Sequence, residues 1–396
     1  MAQPRPALAD IFRQYGPAYR ARHRLPLPHL RVMRAVETCR TSALGGHVET
    51  CGQCDYQRIA YNSCRNRHCP KCQSTAKERW IEKRKAELLP VTYFHAVFTI
   101  PPAIAEIALR NKKTVFQILF RVSAETLLRI AADPKHLGAD IGFFSILHTW
   151  GQNLLFHPHV HSVVTGGGIS ACGTRWVRSR PRFLVSVRVL ARLFRHLFLE
   201  ALEQAHLNGE LEFHDGALSA LRDPDAFRRY LQPLRSIEWV VYMKPPFGSA
   251  EHVIDYLGRY THRIAIGEKR LLSMDDGTVS FLYKDYRSSE PQRSRSMTLA
   301  ADEFLRRFLL HVLPDGFQRI RHYGLLSNRH RVRNLARCRS LLVGVRSALL
   351  PLTVQMRVAD VIVAAAARCP VCHSANMSRT LVLPPTLWRC RSPDTS

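Results

Sequence analysis

The sequence predicts an α+β protein with a small metal-binding module ahead of its sheet. Three observations predict it. Residues 93–100, 143–149 and 156–165 show the alternation and the β-branched and aromatic content of strands. Residues 75–90, 103–132 and 183–206 read as helices, the second with an apolar stripe through Ile104, Ile107, Val115, Ile118, Leu119 and Leu127. Between Cys39 and Cys72, cysteines and histidines recur in pairs at the spacings of metal ligands.

Composition narrows the function classes. The 396 residues give room for two or three structural units. Lys and Arg total 58 against 31 Asp and Glu, a net charge of +27 spread along the chain. That excess is the footprint of a polyanion partner, nucleic acid first. No apolar run reaches the roughly 20 residues of a spanning helix. Arg5, Asp10 and Arg13 interrupt the N-terminus, so a secretory signal is not expected. Six of the eleven cysteines sit at ligand spacings, which fits zinc in a reducing cytosol rather than disulfides. The expectation is a cytoplasmic protein, nucleoid-associated when acting, with no membrane role.

Taken in order, residues 1–30 are basic and proline-rich, with a short helix expected over Ala9–Tyr19. They read as a DNA-contacting arm or as a plain docking segment. Residues 31–80 form the zinc-binding region. Cys51-x-x-Cys54 and Cys69-x-x-Cys72 are knuckle pairs expected to converge on one tetrahedral ion. Cys39, His47, Cys64 and His68 are left for a second ion, in a cross-braced order. The plainer reading makes Cys39 a small core residue and puts the histidines on phosphates or the surface. Arg58, Arg65, Arg67, Lys71 and Lys77 lie among these ligands with Tyr56 and Tyr61, a mixture suited to DNA.

Residues 90–290 hold the predicted sheet. Phe156 to Thr165 is expected to be a strand ending in a turn at Gly166-Gly167-Gly168. Alternation puts His157, His159 and His161 on one face, a rigid half-site for a divalent metal. Val160 and Val163 are expected to anchor the strand from the other face. A short connection from the strand at 143–149 makes a hairpin, which brings His148 alongside. His159 and His161 are the leading ligand pair. His157 with His159 is the runner-up, because Pro158 between them lacks a donor. His148 leads as third ligand, with Gln152 and His157 behind it. After a strand at 238–243, Ser249 and Glu251 suit a helix start. Tyr256 and Tyr260 then lie one turn apart on that helix, as nucleophiles or as part of its apolar stripe. Asp275-Asp276-Gly277 signals a hairpin. Residues 291–350 are expected to be a basic helical DNA-binding region, densest in Arg319, Arg321, Arg329, Arg331, Arg333, Arg337 and Arg339. Residues 351–396 read as a tail in which Cys369-Pro370-Val371-Cys372, His373 and Cys390 make half a zinc knuckle. A metal there is not the leading expectation.

Together these motifs resemble a known family. His159-Val160-His161 resembles the histidine–hydrophobe–histidine (HUH) motif of single-strand endonucleases, and Tyr256-x-x-x-Tyr260 resembles their two-tyrosine motif. The wider pattern, across residues 30–330, is similar to rolling-circle transposases of the insertion-sequence-ninety-one type. It includes the run from Tyr61 to Cys72, Phe98-Thr99-Ile100-Pro101, His148-Thr149-Trp150-Gly151-Gln152 and Phe317 to Gly324. The resemblance implies an HUH endonuclease fold, a central antiparallel sheet with flanking helices behind a zinc-binding domain. It implies nicking of single-stranded DNA by a tyrosine, with Mg²⁺ or Mn²⁺ on the histidines and one or two structural zinc ions. Arg259, His262 and Arg263, on and just beyond the tyrosine helix, are expected to hold phosphates of single-stranded, hairpin and target DNA. Two alternatives stay open: a rolling-circle plasmid initiator or relaxase, and a catalytically inert zinc DNA-binding regulator.

Overall fold

The computed structural model describes residues 5–181, 184–214, 216–244, 258, 265–285, 294–343 and 368–386. Its centre is an antiparallel sheet of β3 (Tyr93–Thr99), β4 (Ala139–Trp150), β5 (Phe156–Ser170), β6 (Trp176–Arg178), β7 (Val241–Lys244) and β11 (Ile320–Gly324). The strand order is β11-β4-β5-β3-β7, with β6 beside the end of β5. This is the α+β architecture expected of the HUH endonuclease fold.

Alternation gives the sheet two different faces. Phe94, Ala96, Phe98, Phe143, Leu147, Val160 and Val164 point one way, into a core with the helices on that side. Those helices are α4 (Pro102–Arg110), α5 (Lys112–Ala132), α6 (Val187–Leu207) and α7 (Pro224–Leu231). The helical pattern over 103–132 is broken at Asn111, whose amide donates to the Ile107 and Glu212 carbonyls and accepts the Glu212 N–H at 2.7 Å. The other face carries Tyr93, Phe144, Ile146 and Val163 in a smaller apolar cluster, beside the histidines. Val163 therefore shares the histidine face. Its odd position gives it the parity of His159 and His161, and of the two valines expected to anchor the strand from behind Val160 alone does so.

The expected turn at Gly166–Gly168 is not there: β5 continues through it, with a register shift against β4 between Ile141 and Phe143. Glycines are needed because the chains approach too closely for side chains. A Cβ at Gly168 would collide with the Asp140 carbonyl oxygen, and Gly167 sits at φ +146.

Helix α3 (Pro70–Ala86) closes over part of the histidine face. Trp80 packs edge-on against Phe144, ring centroids 5.6 Å apart. Arg84 donates to His322 Nε2 of β11 at 2.8 Å and pairs with Glu87. A second core joins α1 (Leu8–Arg22), α2 (Leu27–Thr38), β8 (Leu271–Asp275), β9 (Thr278–Lys284), β10 (Ser294–Ala300) and α8 (Ala301–Leu310). Phe12 meets Phe308 there at 5.3 Å. Of the two readings of residues 1–30, α1 thus behaves as a docking segment. Asp276 at φ 46 and Gly277 at φ 74 make the expected β8–β9 turn.

A third, small sheet was not expected. β1 (Gly46–Cys51) pairs with β2 (Gln57–Tyr61) on one side and with β12 (Met377–Leu383) on the other. The remaining helix, α9 (Arg331–Val343), packs near β6. No described helix is long and apolar enough to cross a membrane.

Candidate metal centres and catalytic face

Three clusters of ligand-type side chains form among the described residues, each with its ligand atoms within 4.8 Å of one another. The first is His148, His159 and His161. Register sets it. His148 on β4 stands directly across from His159 on β5, and the next residue on the same face of β5 is His161. The ring centroids are 5.4 Å apart for His148–His159, 4.2 Å for His148–His161 and 4.8 Å for His159–His161. His157 stays outside. The β4–β5 register shifts between His148 and Trp150, so Pro158 falls in a bulge where no ladder donor is needed, and His157 is exposed. Gln152 lies in the hairpin tip between β4 and β5.

The electrostatics of the cluster favour ligation. Burial pushes His159 down to about 3, with the neighbouring His157 adding to it. Burial, then His148 and His159, hold His161 well below the usual imidazole range. Neutral imidazole is the ligating form. His159 Nδ1–H donates to the His157 carbonyl at 2.6 Å, which leaves Nε2 as the free lone pair. His161 Nδ1 lies 2.8 Å from Nε2 of His95, a buried histidine on β3. His95 was missed in the sequence. Its signal was a histidine inside an otherwise apolar strand. The hairpin tip that aligns the cluster is held from three sides. Arg270 donates to the Gln152 carbonyl, Arg307 to the Asn153 carbonyl at 3.0 Å, and His311 Nε2–H to the Leu154 carbonyl at 3.0 Å.

The cysteine clusters do not follow the expected grouping. Cys69 and Cys72 meet Cys39 and Cys64, whereas Cys51 and Cys54 meet Cys369 and Cys372. Local geometry explains the first set. Cys39 caps the C-terminus of α2, Cys69 is the N-cap of α3, and Cys72 lies in its first turn. The sulfurs of Cys39 and Cys64 both lie 3.5 Å from that of Cys72. A tetrahedral ion with Zn–S bonds near 2.3 Å places its sulfurs about 3.8 Å apart. A helix N-terminus also favours thiolate. His47 and His68 join neither cluster. His47 Nε2 contacts Glu49 at 3.1 Å on the face of β1 that also carries the Glu49–Arg58 pair. His68 is buried, is pushed by burial to about 3, and accepts the Leu313 N–H at 3.3 Å.

The predicted DNA contacts divide in the same way. Arg65 is exposed, and Lys71 is half-buried. Arg67 instead donates to the carbonyls of Phe317 at 2.6 Å and Pro314 at 3.0 Å. Arg319 lies 6.0 Å over the Trp150 ring, and burial lowers it to about 9. Arg321 stacks 4.3 Å over Phe120. These three arginines brace the fold. Of the exposed run, Arg337 and Arg339 donate to the Gly173 and Ala86 carbonyls. Tyr256, Tyr260, Arg259, His262 and Arg263 lie outside the described residues, as does Cys390. Gly258, between the two tyrosines, is described. It is buried, and a Cβ there would collide with Ile81 of α3.

Comparison with known proteins agrees with this layout. A family model described as a putative transposase matches residues 142–334. One described as a transposase zinc-binding domain matches residues 11–100. A protein named putative transposase y4qJ, from Sinorhizobium fredii (strain NBRC 101917 / NGR234), is 54% identical over 398 residues, 98% of this chain and 99% of its own. The transposase for insertion sequence element IS801 of Pseudomonas savastanoi pv. phaseolicola is 29% identical over 356 residues, 82% of this chain and 81% of its own. No solved structure matches the chain.

Proposed function

The chain belongs to the insertion-sequence-ninety-one type family of transposases, with an N-terminal zinc-binding domain, and from that premise we propose that it nicks and joins single-stranded DNA through 5′-phosphotyrosine links to drive rolling-circle transposition. The observation that carries the reading is the trio His148, His159 and His161, convergent on one face of a rigid sheet.

The trio fits a divalent cation in part. Imidazoles fill some positions, and scissile phosphate oxygens and water would fill the rest of an Mg²⁺ or Mn²⁺ shell, both ions preferring oxygen. When bound, such an ion polarises the phosphate and orients the attack. The protein's own part is alignment. His157 fixes the tautomer of His159, His95 holds the ring of His161, and the pinned hairpin tip keeps His148 across from both. A hydroxyl of Tyr256 or Tyr260 attacks phosphorus, the phenol proton leaves, and the bond to the 3′-oxygen breaks. The 3′-oxygen takes a proton, and the 5′-phosphate stays on the tyrosine. A second tyrosine allows another cleavage without loss of the first link. Gly258, between the two tyrosines in sequence, lies against Ile81 of α3, the helix that covers part of the histidine face.

Arg65 and Lys71, with Arg259, His262 and Arg263, are proposed to track phosphates of element ends and target DNA. The protein would work in the cytoplasm on the nucleoid. The test is incubation with labelled single-stranded element ends and Mg²⁺ or Mn²⁺. A covalent protein–DNA adduct that disappears in Tyr256→Phe/Tyr260→Phe is the expected result. Binding without any adduct would favour the inert regulator. A gene not flanked by its own terminal hairpins would favour the plasmid initiator.

A further inference from the structure

The zinc-binding domain match ends at residue 100, yet Cys51 and Cys54 meet cysteines from the far end of the chain. Cys51 ends β1, and Cys54 lies in the turn to β2. Cys369 and Cys372 lie in the turn ahead of β12, which runs antiparallel to β1 with Cys51 opposite Met377. The sulfurs of Cys51 and Cys372 are 3.5 Å apart, and those of Cys54 and Cys369 are 3.6 Å apart. A disulfide needs about 2.05 Å, whereas an S₄ tetrahedron around zinc has edges near 3.8 Å.

The two turns share one construction. The N–H of Cys51 donates to the Tyr56 carbonyl at 2.9 Å, and the N–H of Asp55 returns to the Cys51 carbonyl at 3.1 Å. Cys369 repeats this with Ser374 at 2.8 Å and His373 at 2.9 Å. Asp55 and His373, each just past the second cysteine, take the left-handed conformation at φ 54 and φ 59. Chance contact between two loops gives no reason for this matched pattern. Two zinc knuckles facing one ion require it.

We propose that Cys51, Cys54, Cys369 and Cys372 form a second tetrathiolate zinc site, distinct from the one at Cys39, Cys64, Cys69 and Cys72, that clasps the C-terminal segment onto the zinc-binding domain. The site adds β12 to the β1–β2 sheet and joins residues 315 positions apart. It does not depend on the nicking chemistry.

The test is zinc content of the full chain by elemental analysis, with hydrogen exchange on the 377–383 strand. The unaltered protein should hold two ions per chain. Cys369→Ser/Cys372→Ser should hold one, with β12 losing protection while β4 and β5 keep theirs. Cys372→His, which keeps a ligand, should return the count to two and guards against a fold lost for other reasons. One ion in the unaltered protein, two in the double serine variant, or a mass lowered by disulfide formation at these cysteines would each overturn the site.

Discussion

The histidine and cysteine clusters solve the same problem in opposite ways. The histidines sit on two paired strands whose register is fixed by a buried apolar face. The cysteines sit on turns and helix ends: Cys39 and Cys69 border the second core, whereas Cys51, Cys54, Cys369 and Cys372 lie beside β2 and β12, much of which is exposed. On the proposed reading, the sheet would hold its histidines in place before any ion arrives, and the cysteine module would depend on its ions for its shape, as small zinc-held units do. A labile cation that admits a phosphate would suit the first design, and a permanent structural ion the second.

That contrast can be broken most severely at Cys69. Cys69→Ser removes one thiolate at the N-cap of α3, and structural zinc contributes on the order of 10 kcal/mol to such folds. The variant should lose an ion, melt the module, and lose DNA binding and cleavage together, by elemental analysis and gel shift. A variant that kept its zinc-domain protection would equate the two kinds of site. Next, His159→Ala or His161→Ala should cut adduct formation by more than the roughly 100-fold that marks the upper range of outer-shell effects. Single-strand binding and melting temperature should hold, because the strands are set by their other face.

His95 sharpens the comparison. His95→Ala should weaken divalent-cation affinity by about 10–100-fold, read as a shifted Mn²⁺ dependence of cleavage. His95→Gln, which keeps a hydrogen-bonding side chain, should recover part of it, whereas a purely packing role predicts no shift in metal dependence. The last effect concerns acid. Burial lowers His311 to about 3, against about 6.5 unfolded. Its folded pKa is depressed, so the stability of the neutral form is complete above pH 6.5 and is lost as pH falls toward 3. The loss is about 1.4 kcal/mol per pH unit. His311→Gln should flatten the denaturation-versus-pH curve by that slope between pH 6 and 4.5.

The sequence made the sheet and the histidine trio legible because both are local. Alternation over residues 93–100 and 156–165 reports strands directly, and a short hairpin connection puts His148 beside His159. Parity also placed Val163, had it been counted strictly. The cysteine pairing was not legible. Spacing shows which residues form a knuckle but not which knuckle faces which, and the partner of Cys51 and Cys54 lies more than 300 residues away. Nor does charge alone distinguish an arginine that awaits phosphate from Arg67 or Arg321, which are held by carbonyls and aromatic rings. His95 escaped because a single buried histidine has no periodic signal.

The most direct measurement is adduct yield after two kinds of metal stripping of the same protein. In one, brief chelation removes the labile cation while zinc content stays unchanged. In the other, a mercurial reagent displaces zinc from the thiolates and is then reversed with excess thiol. Re-addition of Mn²⁺ alone should restore full adduct in the first case and none in the second until zinc is returned. Full adduct without any labile cation, or full recovery with Mn²⁺ alone after zinc loss, would contradict the account.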